Sequence, residues 1–346
     1  MLTIDGAEGG GQILRTAVSY SAVSGRPVRI VNIRGARPKP GLRPQHLLAV
    51  NAAAELCGAR VTGADKGSTE IEFTPGRIAP PATWRLDVGT AGSVMLILQA
   101  LLPCLALADK PVELSIVGGT NNPWAPAFEY LRWVLLPTLE RMGFRAGAEL
   151  DRRGFYPKGG GEVRVTTQPG ARIRPIVLRA RGALRRMWGI SYSSNLPEHI
   201  AQRMAGACRD RLERDGFVCD EFDLDTATPG PGPGCGVIAF AEFEHSVIAG
   251  DALGERGKPA EKVGREAAQA LLRELQSGAA VDAHLGDQLV PWAALADGES
   301  VYHAARRTDH LTSAAAVAEQ VIGARFEILG DEPAEVRCAG VACAAT

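Results

Sequence analysis

The sequence predicts an α+β fold: three repeats of a strand–helix–strand–helix–strand–strand unit, two helices on a four-stranded sheet, with a small α/β domain inserted in the third. Three observations carry that expectation. Strand-length apolar runs and apolar positions at helical spacing follow in one order over residues 1–75, and again over 82–167. The order resumes at residues 174–179 and finishes between 284 and 338, so the stretch between reads as an insertion. Glycine-rich turns stand at corresponding strand-to-helix junctions, where chain reversal and close backbone approach favour a residue without Cβ. The large domain is therefore expected over residues 1–179 and 278–346, and the insert over 180–277.

In the first unit, strand 1–5 leads into helix 11–24, strand 27–33 and helix 43–58, where Leu47, Leu48, Ala52 and Leu56 recur at helical spacing. Strands 60–63 and 69–73 close it. The second unit reads as strand 84–88, helix 90–109, strand 111–117, helix 124–143 and strands near 144–150 and 161–167. The third begins with strand 174–179. It resumes with helix 284–296, strand 300–303, helix 310–321 and strands 324–329 and 334–338. Within the insert, 187–192 and 237–244 read as strands, and 197–215 and 261–275 as helices. The Pro/Gly run from Thr228 to Gly236 reads as an exposed connector.

A formal net charge of −1 over 346 residues excludes bulk electrostatic coating of nucleic acid, so any such contact needs a local basic patch. The cysteines form no C-x-x-C pair, which argues against a zinc site or disulfide framework and for a reducing, cytoplasmic compartment. The most apolar window, Val94–Leu107, is short for a membrane span and contains Gln99 and Pro103.

Polar residues collect at helix starts. Asp5-Gly-Ala-Glu-Gly-Gly-Gly-Gln-Ile-Leu-Arg15 brings three glycines to a helix N-terminus, which offers free N–H groups and partial positive charge to an anion. Glu8 in that turn could hold a phosphate-bridging metal ion. Arg34, Arg37, Lys39 and Arg43 cluster in a loop stiffened by two prolines, suited to oriented phosphate contacts, and Arg15 could add another. Gln99 is either a hydrogen-bonded core amide or a ligand contact. His310 opens a helix in Thr308-Asp-His-Leu-Thr-Ser, where the dipole disfavours imidazolium and leaves a neutral, nucleophilic ring.

Together with Lys39-Pro-Gly-Leu, Gln45-His46, Ala91-Gly-Ser, Gly118-Gly-Thr, Gly154-Phe-Tyr-Pro-Lys-Gly-Gly-Gly and Asp287-Gln, these segments resemble the RNA 3′-terminal phosphate cyclases along nearly the whole chain. The resemblance implies an ATP-dependent enzyme that converts an RNA 3′-phosphate to a 2′,3′-cyclic phosphodiester through a histidine–AMP intermediate, releasing AMP and diphosphate. It implies that His310 is the nucleophile and that Glu8 helps bind Mg2+ or Mn2+. It assigns Gln99, Pro126, His284, Leu285, Gly286, Asp287 and Gln288 to the nucleotide, and Arg15, Arg34, Arg37 and Gln45 to phosphate. RNA with a 3′-phosphate is the expected partner and no membrane is; pairing into a homodimer stays open. His284 stands where the family often has tyrosine, Asn121 where it often has aspartate, and Ala314 where it usually has asparagine. Two alternatives stay open: a non-catalytic cyclase-like scaffold, which would lack the histidine, and a transferase on a similar repeated architecture, such as an enolpyruvyl transferase.

Overall fold

The computed structural model of the chain describes residues 1–8 and 10–343; Gly9 of the glycine run lies outside them. The first unit comprises β1 (Leu2–Asp5), α1 (Gln12–Ser24), β2 (Val28–Val31), α2 (Pro44–Cys57), β3 (Arg60–Thr62) and β4 (Ile71–Thr74). The second comprises β5 (Thr83–Asp87), α3 (Val94–Leu105), β6 (Val112–Gly118), α4 (Phe128–Tyr130), a π-helical turn (Leu131–Leu135), α5 (Leu136–Arg141), β7 (Ala146–Arg152) and β8 (Gly161–Thr167). A short strand, β9 (Val177–Leu178), precedes β10 (Leu184–Ser194), α6 (Glu198–Arg214), β11 (Glu221–Asp225), β12 (Gly234–Phe243), β13 (Val247–Leu253) and α7 (Ala260–Gln276). Then come α8 (Ala283–Leu295), β14 (Glu299–Ala304), α9 (Asp309–Ile322), β15 (Arg325–Leu329) and β16 (Ala334–Ala339).

Strand order exposes the repetition. The sheets run β1-β2-β4-β3, β5-β6-β8-β7 and β9-β14-β16-β15, the same permutation each time. In each, the first two strands are parallel, as a right-handed helical crossover requires, and the last two pair antiparallel. The fourth sheet, β11-β10-β12-β13, lies in sequence between β9 and α8, and α6 and α7 pack on it around Met204, Cys208, Ala267 and Leu271. Helix α1 packs against α2, α3 and α9, so its N-terminus meets elements of all three units.

Several boundaries differ from expectation, each for a local reason. Helix α3 starts at Val94 rather than residue 90, because Ser93 caps it with its hydroxyl accepting from Leu96 N–H. The helix expected from Trp124 starts at Phe128, since Pro126 disfavours helical backbone at the residue before it. Its ladder widens to π just ahead of Pro137, which has no N–H to donate. Strand β9 shrinks to two residues because Arg174 N–H donates to Met142 O at 2.7 Å and Pro175 has no donor. The Pro/Gly run is no plain exposed connector. Arg153 N–H donates to Pro229 O and Asn195 Nδ2 to Gly230 O, both at 2.7 Å, and Gly234–Gly236 already belong to β12.

Candidate functional site

A cleft of about 1150 Å³ opens where the helix starts meet. Its floor is fixed by hydrogen bonds between units. Gln12 Nε2 at the start of α1 donates to the His310 carbonyl at 3.0 Å, tying the first unit to the third. Gln45 Oε1 at the start of α2 accepts from Ser93 N–H at 3.0 Å, tying the first to the second. On α9, Thr308 caps the helix by accepting from Leu311 N–H and itself donates to Asp287 on α8.

Gly11 shows how tightly these parts are fitted. A Cβ there would stand 2.3 Å from His46 Nε2 and 3.0 Å from Arg15 Nη1, so only glycine allows the imidazole and guanidinium to meet the turn. Arg37 reaches the same turn from its loop, within 3.1 Å of a Cβ built on Gly10. Arg34 donates to Lys39 O and Gly41 O at 2.8 and 2.9 Å, and thereby holds the loop in shape.

Electrostatics follow from this crowding. Burial lowers the Arg15 pKa to about 10, and no carboxylate offsets it among the described residues. Burial, with Arg15, Arg34 and Arg43 around it, pushes His46 down to about 3, so that ring is neutral and its Nδ1 accepts from Arg43 N–H. Partial burial lowers the His310 pKa, and Arg15 and Arg37 lower it further. Burial raises Asp287 to about 6, although Thr308 donates to its carboxylate. A cleft with arginines short of counter-charge and imidazoles held neutral favours a bound anion.

Of the residues expected at a site, Arg15, Arg34, Arg37, Gln45, Gln99, Pro126, His284, Asp287, Gln288 and His310 line this cleft. Leu285 and Gly286 do not. Leu285 is wholly buried in the core, and the Gly286 carbonyl accepts from Tyr302 OH at 2.9 Å while its Cα faces Ala304. Glu8 is exposed, outside the lining and three residues before Gly11. Among the described residues, no three His, Cys, Asp or Glu side chains converge to cage a metal.

Sequence reasoning missed several lining residues. His46, beside Gln45, lines the cleft and is buried, which the pair Gln45-His46 does not reveal by itself. Tyr130 meets the His284 ring edge-on at 6.1 Å and donates to Asp282, the cap of α8. The β13–α7 stretch, with no local signal, supplies Asp251, Lys258 and Arg273.

A pH profile tests the state of His310. Attack by imidazole needs the unprotonated ring, and a lowered pKa extends that form below the ordinary value of 6.5. For any reaction in which this ring is the nucleophile, the acid limb of the rate should therefore lie below pH 6.5; a limb at or above it would show an unperturbed or different nucleophile.

Fold and cleft together define a class: a repeated α+β protein whose helix starts gather arginines and neutral imidazoles, a setting for phosphate chemistry. The family described as RNA 3′-terminal phosphate cyclase matches residues 6–328. The chain belongs to that family, as an enzyme of it. It is 50% identical to the RNA 3′-terminal phosphate cyclase of Thermococcus onnurineus over 98% of this chain and 99% of that one. It is 46% identical to that of Caldivirga maquilingensis over 95% of each. Among solved structures, the enolpyruvyl transferase NikO from Streptomyces tendae aligns at a TM-score of 0.44 and 14% identity, over 99% of this chain and 49% of that one.

Proposed function

We propose that this enzyme converts an RNA 3′-terminal phosphate to a 2′,3′-cyclic phosphodiester at the expense of ATP. The observation that carries the reading is the juxtaposition of Gln12, Arg15 and His310 across the starts of α1 and α9. An imidazole nitrogen of His310 attacks the α-phosphorus of ATP, forming a P–N bond as diphosphate leaves. The RNA 3′-phosphate oxygen then takes AMP from His310, and the ribose 2′-hydroxyl attacks the activated phosphorus, expelling AMP. The first transfer turns a poor leaving group into a good one. Arg15, Arg34, Arg37 and Gln45 offset charge on the phosphates, and His46, held neutral, adds a hydrogen-bonding edge without repelling the arginines.

Gln99, Pro126, His284, Asp287 and Gln288 form the nucleotide wall; Leu285 and Gly286 serve it by seating α8 in the core. A divalent cation such as Mg2+ or Mn2+ fits Glu8 only together with phosphate oxygens, since a lone carboxylate is the protein's share; bound there, it would neutralise phosphate charge. Residues 180–277 act as an inserted domain that supplies the Asp251–Arg273 side of the cleft.

Two RNAs differing only in a 3′-phosphate or 3′-hydroxyl, each incubated with ATP and Mg2+, test the activity. The expected result is a phosphatase-resistant cyclic end from the first alone. Equal ATP consumption with both, and no cyclic end, would overturn the assignment.

A further inference from the structure

Trp124 is 98% exposed, an unusual state for an indole, which ordinarily buries well over half of its surface. Its backbone has φ of 60°, a left-handed conformation that bulky side chains rarely adopt, so the loop holds this residue against both its local and its solvation preference. The loop between β6 and α4 is firmly pinned on either side of it. Asn122 Nδ2 donates to Ala91 O at 2.6 Å, Asn121 Nδ2 donates to Glu129 Oε2 at 2.8 Å, and Phe128 N–H donates to Thr120 O at 3.2 Å.

A second exposed aromatic belongs to the adjoining loop. Tyr156 is 73% exposed, and its loop is joined to that of Trp124 by Thr120 N–H to Gly154 O at 2.9 Å and Gly154 N–H to Thr120 Oγ1 at 3.0 Å. Trp124 also lines the cleft that holds Arg34, Arg37 and Gln45. Rigid aromatics beside cations are what a single-stranded nucleic acid uses, since every base offers a π-face and each phosphate a charge. The cleft that Trp124 lines also carries Arg15, Arg34 and Arg37, which suit a phosphate-bearing chain better than the apolar core of a protein interface.

Resting on the cyclase reading, we propose that Trp124, with Tyr156 exposed on the adjoining loop, is a stacking platform for a base at or next to the RNA 3′ end. It acts as a positioning residue that sets the register of the terminal phosphate in the cleft. Stacking is indifferent to base identity, so the platform predicts tolerance of any terminal base but a need for some base.

The test compares the full-length wild type with W124A and W124F on a 3′-phosphorylated oligoribonucleotide and on the same strand with abasic terminal nucleotides. W124A should raise KM for the normal strand about tenfold, within the range for loss of one aromatic–base stack, and change kcat little, while W124F restores most of the loss. On the abasic strand wild type and W124A should be alike. AMP attachment without RNA should proceed at the wild-type rate in all three. An unchanged KM in W124A, or an equal loss on both strands, overturns the platform. So does a W124A effect confined to self-association, which would mark a protein interface. A wild type that forms no cyclic end overturns the cyclase reading instead. Fluorescence anisotropy of the labelled strand without ATP then decides the platform alone, equal Kd for wild type and W124A being the contrary outcome.

Discussion

Protein carrying His310→Ala should retain no AMP after incubation with ATP and Mg2+, a fall of at least roughly a thousandfold in adenylylation, as expected when a covalent nucleophile is removed. Intact-mass spectrometry of protein denatured at neutral to alkaline pH reads this directly, because the P–N bond, labile in acid, survives there while a bound nucleotide is lost. The substitution is mild for the fold. The His310 imidazole makes no hydrogen bond among the described residues, and the backbone carbonyl that receives Gln12 Nε2 is kept in alanine. A folded variant with wild-type labelling would put the nucleophile elsewhere. An unfolded one would contradict the accessible position of the ring.

Stability should respond most to Arg153. This side chain, 2% exposed, pairs with Glu129 at 2.7 Å and Asp225 at 2.5 Å, donates to Asn121 Oδ1 at 3.2 Å, and lies over the Tyr192 ring at 4.1 Å. It thus joins the loop after β7 to α4 and to strands β10 and β11. Removing it strands Glu129, itself 3% exposed, as a buried carboxylate without its cation. Arg153→Ala should therefore lose about 3–5 kcal/mol of unfolding free energy in urea titration. Arg153→Met, which keeps the volume, should lose much the same unless Glu129 is replaced by Gln with it. A loss below about 1 kcal/mol would mean that water reaches the carboxylate.

The order of the elements was legible because each unit alternates periods of two and 3.6, and that alternation survives divergence of the residues themselves. Strands β11 and β13 were not, for two different reasons. Glu221–Asp225 is a charged edge strand with little apolar alternation, and Val247–Leu253 carries small residues that read as turn as readily as strand. At the cleft, residues at helix starts were legible, since a cap, a glycine run and an imidazole share one local signature. His46 was not, because its burial depends on Gly11 and Arg15, which only the folded chain brings to it. Asp251, Lys258 and Arg273 were equally silent, being placed by how β13 and α7 stand beside α8. Asn121 is explained only by its surroundings: its amide donates to Glu129 and accepts from Arg153 and Thr120, a pairing that a second carboxylate could not satisfy.

The bond from Gln12 to the carbonyl of His310 spans 298 positions of chain, almost the whole distance from one terminus to the other. A nascent chain emerging from the ribosome would thus carry the arginines long before the imidazole arrives. Termination anywhere before α9 would remove His310 and also leave bare the face of α1 that packs on α9, so a shortened product would lose both the imidazole and the support of the helix start facing it.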